Sequence, residues 1–190
     1  GIPATAHVFI YPSFVLYDFS FILEAFLRLY KRDKRALLLL IGEFPTSLGQ
    51  PYDSLIQKSI IRNCGNVNRE QLFTYLSASN VGLLPLSNTL ANRARFPFKF
   101  SDFVSVQIPF ITNNVGDVGF LVKKYRLGLL SSYSPNQFAQ KMFFSVIHPH
   151  MARQYANRAY EFARIHLSWE SLAKQLLDTY SFLVPEYPSR

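Results

Sequence analysis

Short runs of apolar residues alternate along the chain with longer stretches in which apolar residues recur every three or four positions. The short runs have the length of strands, and several are wholly apolar, as expected of strands that are buried on both faces. They predict strands at residues 6–11, 37–41, 60–64, 81–86, 108–112 and 127–131.

The stretches between these runs have the periodicity of amphipathic helices. The first such helix begins near Asp18 or Ser20, which are residue types that cap helices. Helices are predicted at residues 19–30, 52–58, 70–79, 135–146, 151–166 and 168–183, with a further short helix opened by Pro97 and a turn at 113–117. Strands that alternate with helices predict a parallel sheet covered on both faces, in one Rossmann-like three-layer αβα domain over residues 1–190.

The composition supports a folded domain. The chain has 190 residues, of which 49% are hydrophobic and 16% aromatic, so it has the size of one domain and can bury a core. Its apolar runs are all shorter than the roughly 18–20 residues that span a bilayer. The first residues show no signal-peptide pattern, and a cytoplasmic location is expected.

Metal and disulfide chemistry are not indicated. Cys64 is the only cysteine, which excludes a disulfide framework and favours a buried, inert thiol. His148 and His150 flank Pro149 in a predicted loop without a plausible third ligand. We therefore expect neither a metal ion nor a cofactor.

The charge balance favours anionic partners. The chain has 20 basic and 12 acidic residues, which gives a formal net charge of +8. The basic residues are spread over residues 28–35, 93–99, 123–126 and 153–164 without a nucleic-acid-binding motif, so no nucleic acid partner is expected. An anionic small ligand remains open, and so does peripheral contact of residues 153–164 with an anionic membrane surface.

The candidate ligand-binding chemistry is concentrated just before the fifth strand. Arg93 and Arg95 lie in a predicted loop, and Pro97 then opens a short helix, whose first N–H groups and dipole favour an anion. Lys99 adds positive charge, and Asp102 lies on the same helix face. Cations beside a carboxylate that can accept hydroxyl groups suit a nucleotide or a nucleoside diphosphate sugar. An ordinary exposed Lys99–Asp102 ion pair is the alternative.

Two loops are predicted to face the same crevice. Residues 65–68 and 88–97 both leave the carboxyl ends of predicted strands. Ligands of parallel α/β sheets bind beyond those strand ends. The convergence of the two loops therefore supports a binding site more strongly than either loop alone.

The order of the segments resembles the C-terminal half of retaining GT-B glycosyltransferases, and most of all those of family 4. The similarity is carried by LLLLIGE, RNCGNVNREQLFTYLSASNVGLLPLS, FPFKFSDFVSVQIPFITNNVGDVG and LSWESLAKQLLDTY, and it extends over nearly the whole chain. In that family this half binds the sugar-nucleotide donor. The resemblance therefore implies the C-terminal half of a GT-B fold and a nucleotide-sugar ligand.

The resemblance also implies roles for individual residues. Asp102 falls where the family has a glutamate that holds the donor ribose, and Lys99 falls on a lysine near the diphosphate. The loop 65–68 falls on the segment that meets the nucleobase. The predicted donor-binding residues are Asp102, Lys99, Arg95, Arg93, Pro97, Phe98, Asn68 and Val67. No catalytic residue is assigned.

The chain departs from the family at positions that bind charge. Ala94 stands where the family has a second acidic residue, eight positions before Asp102. The loop 12–18 has no arginine or lysine, although the family binds phosphate there. Arg93 and Arg95 are candidates for the missing positive charge. These departures make a catalytically silent domain, serving as a structural or partner-binding module, the alternative function.

A further departure is Gln107, which replaces a usual glycine before Pro109. GT-B enzymes have two halves, and the reaction takes place in the cleft between them. The resemblance implies that this chain is one half of a glycosyltransferase and is inactive alone, and that its last helix (168–183) reaches back to an N-terminal half. A sugar-nucleotide epimerase half shares the architecture, but no residue favours it.

Overall fold

A parallel β-sheet forms the centre of the computed structural model, which describes residues 1–13 and 17–183. Its six strands have the order β3-β2-β1-β4-β5-β6. The strands are β1 (His7–Pro12), β2 (Ala36–Ile41), β3 (Ile61–Asn63), β4 (Val81–Leu84), β5 (Phe110–Asn113) and β6 (Leu129–Ser131). All strand pairs are parallel, which confirms the predicted sheet.

Helices cover both faces of this sheet. They are α1 (Phe19–Arg32), α2 (Tyr52–Gln57), α3 (Arg69–Ser77), α4 (Leu90–Ala94), α5 (Phe98–Ser105), α6 (Gly116–Tyr125), α7 (Pro135–Ile147), α8 (Pro149–His166) and α9 (Trp169–Leu183). None of the described helices is both long and apolar enough to cross a membrane.

The sheet separates two hydrophobic cores. In β1, Phe9 and Tyr11 pack into the core beneath α1 and α7, whereas Val8 and Ile10 pack into the core beneath α3, α5 and α6. Successive side chains of a strand point to opposite faces, so a strand between two cores must be apolar throughout. The continuous apolar runs of the sequence have this origin, and the predicted three-layer fold is confirmed.

Several strand boundaries differ from those predicted. The strand predicted at 60–64 ends at Asn63, the one predicted at 81–86 ends at Leu84, and the one predicted at 127–131 begins at Leu129. Leu86 lies beyond these limits and is still buried, but it is not in register with a residue of β5. Cys64 consequently follows β3, where burial raises the pKa of its half-buried thiol.

The loop predicted around Arg93 is partly helical. It contains the short helix α4, which is capped by Thr89, whose Oγ1 accepts a hydrogen bond from the amide of Asn92 at 3.2 Å. Pro97 is the N-cap of α5 with ψ 127°, and the helix itself begins one residue later than predicted. Arg95 lies between the two helices in extended conformation.

Helix α6 was not predicted, since its first turn was assigned to the turn at 113–117. Gly116 and Gly119 lower the helix propensity of this segment. The structure requires a small residue at Gly119, because a Cβ there would lie 2.7 Å from the carbonyl carbon of Asn114. The close packing of α6 against the preceding turn therefore requires a glycine, and the low helix propensity of glycine is the reason that the sequence did not predict this helix.

Candidate functional site

A cavity of about 430 Å³ opens at the carboxyl edge of the sheet. Tyr11 of β1, Ile41 of β2 and Leu84 of β4 contribute the ends of three strands, and the beginning of α5 forms a wall. The strand order reverses between β1 and β4. In open parallel sheets such a reversal creates the crevice in which ligands bind.

Six of the eight predicted donor-binding residues line this cavity. They are Asp102, Lys99, Arg95, Pro97, Phe98 and Val67. The loop after β3 and the segment before α5 therefore meet at one crevice, as predicted. Their role in binding stays a prediction.

Asn68 and Arg93 are not among the residues that line the cavity. The Oδ1 atom of Asn68 accepts a hydrogen bond from the amide of Gln71 at 2.8 Å, and the Gln71 side chain accepts one from the amide of Asn68 at 3.0 Å. This reciprocal capping box explains why asparagine occurs here without a ligand. The side chain of Arg93 is exposed on α4.

Lys99 reaches across the cavity to β1. Its Nζ atom donates a hydrogen bond to Oγ of Ser13 at 3.1 Å and lies 4.8 Å from the ring centre of Tyr11. Burial, together with the nearby Arg95 guanidinium, lowers the pKa of Lys99 to about 8, against the opposing effect of Asp18. Among the described ion pairs none involves Lys99, so the exposed Lys99–Asp102 pair considered from the sequence is wrong.

Asp102 lies one helical turn from Lys99 and is partly buried at the cavity wall. Burial raises the pKa of its carboxyl, and the guanidinium of Arg69, at the start of α3, opposes this rise. The two α5 side chains thus have different neighbours: Lys99 faces the end of β1, and Asp102 faces the side of α3.

The sequence analysis missed a second carboxylate in the cavity. Asp18 lines the cavity and is only 5% exposed. It occupies the N-cap of α1, but its side chain does not bond the helix. Instead its Oδ1 accepts a hydrogen bond from the hydroxyl of Tyr133 at 2.8 Å. Burial and this hydrogen bond raise the pKa of Tyr133 to about 12.

Gly42 allows the ends of β1 and β2 to approach each other at the cavity. It has φ 128°, and a Cβ at this position would collide with the carbonyl oxygen of Ser13. Its N–H donates to the carbonyl of Gly65 at 2.8 Å, which ties the loop after β3 to the same place. Since only glycine accepts such a contact easily, Gly42 was a sequence signal for this edge of the site.

Among residues 1–13 and 17–183, no group of three His, Cys, Asp or Glu side chains is arranged to hold a metal ion. The expectation that the protein uses neither a metal nor a cofactor stays a prediction.

Comparison with known proteins agrees with this architecture. Residues 8–144 match the family model described as Glycosyl transferases group 1. The chain belongs to this family, and its fold is that of the C-terminal half of GT-B glycosyltransferases. The resemblance in the sequence is thereby confirmed. No curated protein matches the chain at a significant level.

Similar folds occur in several solved structures. Sucrose-phosphate synthase from Thermosynechococcus elongatus has a TM-score of 0.73 at 22% identity, over 97% of this chain and 47% of that one. HepE from Anabaena, in complex with UDP and glucose, has a TM-score of 0.72 at 14% identity, over 94% and 49%. The C-terminal domain of a group 1 glycosyltransferase (LpcC) from Francisella tularensis has a TM-score of 0.67 at 13% identity, over 88% and 89%.

The similarity is limited to part of each of the larger proteins. This chain spans about half the length of the first two proteins, but most of the separately solved C-terminal domain. The likeness is therefore to one of the two halves of such proteins.

Proposed function

We propose that this chain is the nucleotide-sugar-binding half of a glycosyltransferase that transfers a sugar from a nucleoside diphosphate to an acceptor. The observation that carries the proposal is the cavity at the strand-order reversal, in which α5 presents a cation and a carboxylate one turn apart. Family membership supports it, and so does the occurrence of UDP in the similar structure of HepE.

The charges of the cavity suit the parts of such a donor. Arg95 and Lys99 bind the diphosphate, and the first N–H groups of α5 assist them. These N–H groups are not capped by a side chain, because the N-cap residue is Pro97. Asp102 accepts hydrogen bonds from the ribose hydroxyls. The nucleobase lies near Val67, which shares the cavity with Asp102. In this arrangement protein cations neutralise the diphosphate, and the site needs no metal ion.

Phe98 and α9 are proposed to face an N-terminal half. Phe98 is 87% exposed at the cavity, and α9 has no buried residue, with Trp169 84% exposed. Such apolar surface favours a covering partner. Slower amide exchange of α9 in the two-domain protein than in this chain is expected, and equal exchange would contradict the arrangement. This chain alone is expected to bind the donor weakly and to transfer no sugar.

The proposal is tested by calorimetric titration of the chain with UDP, GDP, ADP, CDP and dTDP, followed by the 2′- and 3′-deoxyribose analogues of the nucleotide that binds. Removing a ribose hydroxyl should weaken binding to the wild type about tenfold, since a hydrogen bond to a charged group is lost. Asp102→Ala should abolish this discrimination, whereas Asp178→Ala, on exposed α9, should retain it.

The outcomes separate the two functions considered from the sequence. Equal discrimination by Asp102→Ala and wild type would contradict the role of Asp102. Failure of all five nucleotides to bind, both to this chain and to the two-domain protein, would instead support a silent structural or partner-binding module.

Contact with an anionic membrane surface is a separate proposal. On α8, Arg153 donates to the carbonyl of Gln107 at 3.3 Å, and Arg164 pairs with Glu161 at 2.9 Å. The ion pair with Glu161 offsets the charge of Arg164 and so lowers the charge that α8 offers to lipid. Absence of co-sedimentation with anionic vesicles at low salt would exclude this contact for the present chain.

A further inference from the structure

Among the residues that the structure describes, two carboxylates line the cavity, and their electrostatic surroundings differ. Asp102 is influenced by Arg69, at the side of α3. Asp18 instead influences Lys99 and is hydrogen-bonded by Tyr133, at the side of β6 and α7. Lys99 shares α5 with Asp102 and reaches the end of β1, from which the chain leads to Asp18. The charge of Asp18 therefore acts on Lys99, whereas that of Asp102 is balanced from the side of α3.

Asp18 is held firmly in this position. Its Oδ1 accepts the hydrogen bond from Tyr133, and the ring of Tyr133 stacks on Phe21 of α1 with centres 4.3 Å apart and planes inclined by 13°. The carboxylate takes no part in capping α1, although it occupies the N-cap. The usual structural use of an aspartate at this position thus does not explain its orientation.

A carboxylate beside a diphosphate site must meet a neutral part of the ligand. It repels phosphate oxygens, whereas hydroxyl groups donate hydrogen bonds to it. Along a nucleoside diphosphate sugar, hydroxyl-bearing groups occur on both sides of the diphosphate: the ribose on one side and the sugar on the other. With the ribose at Asp102 and the diphosphate at Arg95 and Lys99, the sugar falls at Asp18.

We propose that Asp18, oriented by Tyr133, accepts hydrogen bonds from hydroxyl groups of the donor sugar and restricts the donor to neutral sugars. This inference rests on the proposed function and adds the class of sugar to it. In this chain Asp18 supplies an acidic group to the cavity. The residue eight positions before Asp102 is Ala94, which is exposed on α4 and is not among the residues that line the cavity. A sugar carboxylate would meet the buried charge of Asp18 and be rejected.

The test compares three ligands of the base that the nucleotide panel selects: the nucleoside diphosphate, its glucose conjugate and its glucuronate conjugate. Calorimetry on the wild type should show binding of the first two. The glucuronate conjugate should bind at least about tenfold more weakly than the glucose conjugate, because its carboxylate and that of Asp18 repel each other. Asp18→Asn keeps the shape of the side chain and removes its charge. It should bring the affinities for the glucose and glucuronate conjugates within about threefold of each other.

Two further variants separate binding from folding. Tyr133→Phe leaves Asp18 in place but removes its hydrogen bond, so it should reduce the preference for glucose over glucuronate by a smaller factor than Asp18→Asn. Asp178→Asn, an exposed substitution on α9, should leave the preference unchanged. Thermal unfolding of each variant establishes that it is folded.

Each outcome decides the inference. An unchanged preference in folded Asp18→Asn overturns the role of Asp18 and leaves the proposed function standing. Equal binding of both conjugates by the wild type likewise overturns it. If neither this chain nor the two-domain protein binds any of the nucleoside diphosphates, the proposed function and this inference fail together.

Discussion

The charge of Lys99 is predicted to control ligand affinity across the neutral to alkaline range. Burial and Arg95 lower its pKa to about 8. With that pKa, roughly 90% of the lysine is charged at pH 7 and roughly 10% at pH 9. If the diphosphate binds to the charged form, affinity should fall about tenfold over this interval.

The same burial predicts the opposite trend for the stability of the unliganded protein. Above pH 8 the folded chain has released the Lys99 proton, whereas the unfolded chain retains it up to the ordinary value of 10.5. The unfolded state then binds more protons, so the free energy of unfolding should rise with pH between these values. The shift corresponds to at most about 3 kcal/mol. At pH 7, Lys99→Met should therefore stabilise the folded chain while weakening nucleotide binding.

The assay is calorimetric titration with the selected nucleoside diphosphate at pH 7, 8 and 9 and constant ionic strength, with urea unfolding at the same pH values. Lys99→Met should bind the nucleoside diphosphate weakly, with an affinity that depends little on pH. Any pH dependence that remains measures the contribution of the other titratable groups. Lys99→Arg keeps the charge at all three pH values and should likewise lose the slope. A tenfold decrease that persists in Lys99→Met would refute the assignment to this lysine.

Two further predictions concern stability. Asn113 is buried and bridges the sheet edge, accepting from the amide of Leu86 at 2.9 Å and donating to the carbonyl of Ser131 at 3.0 Å; Asn113→Ala should lower the free energy of urea unfolding by about 2–3 kcal/mol, because two buried backbone groups lose their partners. Gln107 has φ 54°, so Gln107→Gly should raise that free energy by about 0.5–1 kcal/mol. A neutral result for Asn113→Ala, or a destabilised Gln107→Gly, would contradict these arguments.

The sheet and the α5 side of the cavity could be predicted from the sequence, because both follow from patterns of residues that are close together in the chain. Wholly apolar runs indicate strands buried on both faces. Lys99 and Asp102 share one helix, so their spacing alone places them together. Asp18 and Tyr133 are 115 residues apart, and Ser13 and Lys99 are 86 apart. No local pattern reports such pairs, since they meet only when the sheet has assembled.

The loop 12–18, after β1, has no arginine or lysine of its own. From the sequence, Arg93 and Arg95 were the candidates for the missing positive charge. Arg95 does line the cavity, whereas Arg93 does not. The cation that reaches the end of β1 is Lys99, through its hydrogen bond to Ser13. Lys99 belongs to α5, so its approach to Ser13 could not be predicted from proximity in the sequence.

Helix α5 connects the cavity to the hydrophobic core. Phe100 and Phe103, on the other face of α5, are fully buried, and their ring centres lie 5.5 Å and 6.2 Å from that of Phe110 in β5. The helix that carries Lys99 and Asp102 is therefore positioned by packing on the sheet rather than by a loop. Because a rigid element holds both groups at a fixed spacing, the cation and the carboxylate can be organised before a ligand arrives. The residues of α5 thus divide into an apolar face that packs on the sheet and a face with Lys99 and Asp102 that lines the cavity.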